Sequence, residues 1–156
     1  MEFNLKELAQ FLVNAKRSSW ASDGKKIIPK RLGFKELEYI EGYWKYRDSY
    51  AGYFMTPGQE CVRFNDVPVW IMSYGGGMLP KYLDLAKSTF SFLKKALKLV
   101  EVSRPFRGPE YLKEGDWEYK DSSEGDISDF KGTEHIFYKG KEVFRMNYCG
   151  SLVIPK

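Results

Sequence analysis

Four carboxylates carry the clearest chemical pattern in this chain. Asp48 and Asp121 each end a Trp-x-Tyr-x-Asp stripe, Trp44-x-Tyr46-x-Asp48 and Trp117-x-Tyr119-x-Asp121, and Glu60 and Glu134 each open a following strand. Acids on an aromatic face can line a cleft and hold a cationic or hydroxyl-bearing ligand. At short range two carboxylates raise one another's pKa, which is what acid–base work asks of such a pair. The same residues read equally as strand-end acids that bond backbone amides or Tyr hydroxyls. Arg107, inside the stiff segment Arg104-Pro105-Phe106-Arg107-Gly108-Pro109, is suited to pair with one of them, structurally or across a ligand.

Positive charge is concentrated near the start of the chain. Residues 1–35 hold eight Lys/Arg against three Asp/Glu, whereas the remainder is nearly balanced, within a net charge of +4. Lys16, Arg17, Lys25, Lys26, Lys30 and Arg31 surround Ser22-Asp23-Gly24, with Trp20 ahead of them. Loops that break a regular scaffold are where binding residues tend to sit, and such charge suits an anion, a phosphate or a nucleic-acid backbone. Lys25, Lys26 and Arg31 are the expected anion-attracting residues; the plainer reading is a solvated Lys-rich tip.

Other motifs carry less. Gly75-Gly76-Gly77 superficially suggests a phosphate cradle, but Met78-Leu79-Pro80 follows, without Walker or dinucleotide spacing, so a flexible joint is expected. His135 stands alone beside Glu134, with no local spacing for a metal site or a nucleophilic relay. Cys61 and Cys149 form no CxxC and read as free thiols of a cytoplasmic protein. No apolar run approaches the roughly 20 residues of a membrane span, and Met1-Glu2-Phe3-Asn4 lacks the layout of a secretion signal. No cofactor, metal or catalytic residue is expected.

The elements that must position these residues are legible from periodicity. The chain has 156 residues with 43% hydrophobic and 29% charged, as in one soluble globular domain, and its 17% aromatics favour half-buried sheets. Asn4 with Glu7 predicts a capped first helix, with Phe3 and Leu8 at the staple positions and a stripe of Leu5, Leu8, Leu12 and Ala15. Ala86, Phe90, Leu93, Leu97 and Val100 predict a second helix over about 82–99, with Lys87, Ser91, Lys94, Lys95 and Lys98 facing water. Period-two alternation predicts strands near 36–41, 43–52, 58–64 and 67–75, then near 110–114, 116–125, 133–138 and 142–149. Connections this short imply antiparallel meanders.

Much of the chain is written twice. Glu41-Gly42-Tyr43-Trp44-Lys45-Tyr46-Arg47-Asp48-Ser49 returns 73 residues on as Glu114-Gly115-Asp116-Trp117-Glu118-Tyr119-Lys120-Asp121-Ser122. Val69-x-x-Met72-x-Tyr74-x-Gly76 answers to Val143-x-x-Met146-x-Tyr148-x-Gly150. The expected fold class is therefore α+β: a tandem duplication of an α-β-β-β-β unit, over about 3–76 and 82–150 of a single domain, with antiparallel meander sheets that pack or join around a pseudo-twofold axis and two covering helices.

Phe11-Leu12-Val13-x-Ala15-Lys16, Leu37-Glu38-Tyr39-x-Glu41-Gly42, Tyr46-x-Asp48-Ser49-Tyr50-x-Gly52, Val67-Pro68-Val69-Trp70-x-Met72-x-Tyr74, Phe106-Arg107-Gly108-Pro109 and Phe137-Tyr138-Lys139-Gly140-Lys141 together resemble an uncharacterised bacterial and archaeal domain-of-unknown-function family. That family occurs alone or as the C-terminal half of XRE-type helix-turn-helix regulators. The resemblance implies a ligand-sensing or partner-binding role and no reaction, cofactor or catalytic residue. Gly75 stands where the family pattern often has an aromatic.

The expected function is a non-catalytic cytoplasmic module that binds a small polar or anionic ligand between its two repeats. Trp44, Trp117, Tyr74 and Tyr148 would supply walls, and Asp48, Asp121, Glu60, Glu134 and Arg107 the polar points. A protein-interaction module, as a regulator's partner or a homo-oligomer, is the second expectation. Weak single-stranded nucleic-acid binding through sheet aromatics and the basic loop is the third.

Overall fold

The structure, a computed structural model, describes residues 3–19, 26–154 and 156. Helix α1 (Leu5–Ser18) opens with the expected capping box: Asn4 Oδ1 accepts from the Glu7 amide at 2.9 Å and the Glu7 carboxylate accepts from the Asn4 amide. Among the described residues nine strands follow: β1 (Lys26–Ile27), β2 (Lys35–Glu41), β3 (Trp44–Tyr50), β4 (Gly58–Phe64), β5 (Val67–Met78), β6 (Tyr111–Glu114), β7 (Trp117–Asp126), β8 (Asp129–Tyr138) and β9 (Lys141–Leu152). Between β5 and β6 come a 3-10 helix (Pro80–Leu85) and α2 (Ala86–Leu97). No side chain caps the 3-10 helix, and Pro80 stands at its start. The second helix is accordingly shorter than its apolar stripe predicts, and its opening turns are tighter.

The expected fold class is overturned. All nine strands form one antiparallel sheet in the order β1-β2-β3-β4-β5-β9-β8-β7-β6, so the chain is mostly β and does not build two meander sheets of α-β-β-β-β units. The physical reason is the β5–β9 seam. Both strands run twelve residues and pair from Trp70 with Leu152 to Met78 with Phe144, so each covers a row of amides and carbonyls the other would leave open. The glycine run is part of this seam and not the joint expected of it. A Cβ on Gly77 would strike the Phe54 carbonyl, with which Met78 N–H bonds at 2.7 Å, so the backbone of the 51–57 connection closes on β5 only over glycine.

Two apolar clusters lie on one face of the sheet. Leu8, Phe11, Leu12 and Ala15 of α1 pack with Tyr46, Val62, Trp70 and Met72, while Phe92, Leu93, Ala96 and Leu97 of α2 pack with Tyr119, Ile136, Phe144 and Met146. The opposite face is polar and carries ion pairs such as Arg47 with Glu38 and Arg145 with Glu142. Among the described residues no helix is long and apolar enough to cross a membrane.

Candidate functional site

Strand register brings the four carboxylates to the helix-bearing face as two cross-strand couples. Asp48 on β3 stands directly opposite Glu60 on β4, and Asp121 on β7 opposite Glu134 on β8. All four are buried. Between the couples, Tyr74 on β5 and Tyr148 on β9 are paired across the seam. Each phenol leans away from the seam over a glycine of the next strand, Tyr74 over Gly58 and Tyr148 over Gly132. In that pose the Tyr74 hydroxyl donates to Asp48 at 2.6 Å and the Tyr148 hydroxyl to Asp121 at 2.9 Å. Glycine is required where the ring lies flat on the backbone. A Cβ on Gly58 would sit 2.5 Å from the Tyr74 hydroxyl oxygen, so Gly58→Ala displaces the ring and strips Asp48 of its donor. We expect a loss of about 1–3 kcal/mol for this overpacking in chemical denaturation, and no comparable loss for Gly75→Ala, where a Cβ meets open space.

The couples differ in their cations. Lys16 of α1 reaches down to Glu60. Arg104 pairs with Asp121 and donates to Ser123 Oγ at 3.1 Å. Arg107 forks onto Glu134, with Nη2 to Oε2 at 2.8 Å and Nε 3.2 Å from Oε1, and Tyr119 donates a further bond to Glu134 at 2.6 Å. Arg107 also lies 5.8 Å from the Tyr74 ring centroid, which links the two halves of the network.

Burial sets the titration of this cluster. It pushes the Asp48 carboxyl up to about 7, with the Glu60 charge adding to it, and the Asp121 carboxyl to about 7, with Glu134 adding. Burial lowers the Lys16 ammonium, against the pull of Glu60. Tyr74 and Tyr119 are raised well above the ordinary phenol range, first by burial and then by the carboxylates beside them. For Arg107, burial disfavours the charge, yet Glu134 outweighs it and holds the guanidinium firmly protonated.

A cavity of about 860 Å³ opens over the first couple, between the sheet and α2. Asp48, Glu60, Tyr74, Lys16 and Arg107 line it, with Leu37, Phe90, Leu93, Phe106 and Met146 as apolar wall. Lys26, Lys35, Lys87 and Lys94 line it as well. Ser19, also a lining residue, buries a hydroxyl that has no hydrogen-bond partner among the described residues.

The structure thus gathers Asp48, Glu60, Tyr74, Arg107 and Lys26 around one space and leaves other sequence candidates outside it. Trp44 and Trp117 are not walls of this cavity: Trp44 stacks on Phe11 at 5.4 Å, and Trp117 packs on Tyr138 at 4.5 Å and on Phe92. Both pack between a helix and the sheet. Asp121, Glu134 and Tyr148 belong to the buried network but are not among the lining residues, and Arg31 is exposed over the Phe34 ring. Lys25 and Trp20 lie outside the described residues. His135 bonds Glu142 at 2.5 Å on the open face. Sequence reasoning missed Lys16 as the centre of the site, although its place four residues after Leu12 and eight after Leu8 continues the buried row of α1. It also missed Lys87, Ser91 and Lys94, assigned to water, which line the cavity.

No curated protein and no solved structure matches the chain. A family model does, described as a domain of unknown function, DUF5680, over residues 48–153. The matched stretch holds Asp48, Glu60, Tyr74, Arg107 and Glu134, while Lys16 is supplied from the helix ahead of it. The chain belongs to the DUF5680 family.

Proposed function

We propose that the chain is a cytoplasmic, non-catalytic module that binds a small anionic ligand in the cavity beside Asp48 and Glu60. One observation carries this reading: four lysines and two buried cations converge on a single concave space with a largely apolar wall. The lysines draw a phosphate or carboxylate, and the Asp48 carboxyl and Tyr74 hydroxyl suit hydroxyl groups at the floor. The Ser19 hydroxyl, without a partner among the described residues, adds a further point for a polar ligand. A sensing role beside a helix-turn-helix regulator fits such a pocket, because ligand occupancy between sheet and helices can bias how a partner is held.

A thermal-shift screen of nucleotides, sugar phosphates and small carboxylates tests it. Ligand at 100 times its dissociation constant adds about 2.7 kcal/mol, worth roughly 5–10 °C at this chain length. The shift should shrink with added salt and in Lys35→Gln/Lys87→Gln. Absence of any anion-dependent shift across the screen contradicts the reading.

The protein-interaction reading keeps one support of its own: Ile28 and Leu32, on the connection from β1 to β2, are fully open to solvent.

A further inference from the structure

Lys16 is an odd residue for its position. It sits on the buried row of α1, is 7% exposed, and holds its ammonium against Glu60 and 5.8 Å from the Trp70 ring centroid. Leucine or methionine would fill that row without desolvating a charge. Instead the chain places a primary amine where it lines a cavity, next to two carboxyls that face each other across β3 and β4. Tyr74 donates to Asp48, the second of those carboxyls, and Arg107 lines the same floor.

We infer that Lys16 captures the ligand's carbonyl as a reversible imine, so that the ligand class is a small aldehyde or 2-oxo acid carrying a carboxylate or phosphate. This inference rests on the reading of the cavity as an anion site. The groups needed for the step are present. Glu60 takes a proton from the Lys16 ammonium, and the freed Nζ lone pair adds to the carbonyl carbon as the C=O π pair moves onto oxygen, which takes up the proton that the now positive Nζ releases, giving a neutral carbinolamine. Asp48, in its acid form, protonates the departing hydroxyl, which leaves as water while the nitrogen lone pair forms the C=N bond, so the product is the protonated imine beside an ionised Asp48. One amine and one carbonyl become one imine and one water, and no electrons are exchanged with a third party. Burial supports both roles, because it lowers the ammonium of Lys16 and keeps the acid form of Asp48 present near neutral pH. The lysines lining the cavity would hold the ligand's anionic group while the carbonyl reaches the floor.

The test uses the full chain with glyoxylate and cyanoborohydride at pH 7, followed by peptide mass spectrometry. The expected result is one carboxymethyl group on Lys16 before exposed lysines such as Lys113 or Lys131 are modified, and none from glycolate, which has the same shape without the carbonyl. Lys16→Arg keeps a cation for Glu60 and should fold and lose the preferred adduct. Labelling spread over exposed lysines with Lys16 untouched overturns the imine. If anions still stabilise the chain in that case, the binding reading stands without it. Conversely, an adduct on Lys16 without stabilisation by any non-carbonyl anion would remove the anion site and leave the amine chemistry in place.

Discussion

Replacing Arg107 by alanine is expected to lower the unfolding free energy by about 3–5 kcal/mol, the cost of stranding a buried charge. Glu134 is fully buried, and the guanidinium supplies its fork while Tyr119 supplies one further bond. Without Arg107 the carboxylate keeps only that phenol. At this chain length such a loss should lower the melting temperature by roughly 6–20 °C. Arg107→Lys retains the charge but not the two-pronged geometry and should fall between the two. Removing both partners, as Arg107→Met with Glu134→Leu, should recover much of the loss, since no charge is then buried alone. Thermal and urea unfolding of the four proteins checks this. A single-variant loss below about 1 kcal/mol would mean the pair behaves as an exposed one.

Stability should fall as pH rises from about 4 to about 7. The sign follows from Asp48 and Asp121, whose folded values of about 7 lie above the ordinary carboxylate value of 3.8. Between those limits the folded chain binds protons that the unfolded chain has released, so each pH step upward favours unfolding. Below the window both states are protonated, and above it both are ionised, so the effect levels off at each end. Asp48→Asn removes one of these ionisations and keeps an oxygen to accept from Tyr74. That variant should match the wild type near pH 4 and exceed it at pH 8 by an amount on the order of a few kcal/mol. Lys16, with its ammonium lowered, acts in the opposite sense on the alkaline side, so the difference between the two proteins is the quantity to follow. Urea titrations at pH 4, 6 and 8 measure it. An unchanged pH profile in Asp48→Asn would show that Asp48 is not the group that titrates.

The local grammar of the chain was readable, and its long-range pairing was not. Asn4 with Glu7 announces the start of α1, and alternation in Trp44-x-Tyr46-x-Asp48 places Asp48 on the same face as Tyr46, as the β3 register requires. Turn residues at Asn65-Asp66 and Lys139-Gly140 mark hairpins, and the structure has positive φ at all four. Nothing local announces that β5 will pair with β9, seventy-odd residues on, so packing and joining of the two meanders were equally open from the sequence. The glycine run misled for a related reason: three glycines suggest flexibility until the Phe54 carbonyl is seen against Gly77. The site was half legible. Acids and Tyr74 could be found by alternation and spacing, but Trp44 and Trp117 share their face without sharing the cavity, because each stripe begins beneath a helix. Arg107 meets its acid across 27 residues of chain, and the roles of Lys87 and Lys94 depend on how far α2 stands from the sheet.

Methyl-resolved NMR of the full chain, titrated with the best anion from the thermal-shift screen, tests the central claim most directly. Leu37, Leu93, Leu97 and Met146 line the cavity, while Ile71, Val67 and Ile40 lie away from it. The account predicts saturable shifts in the first group, with the second group still. Shifts confined to the second group, or none in either at concentrations that stabilise the protein, would contradict it.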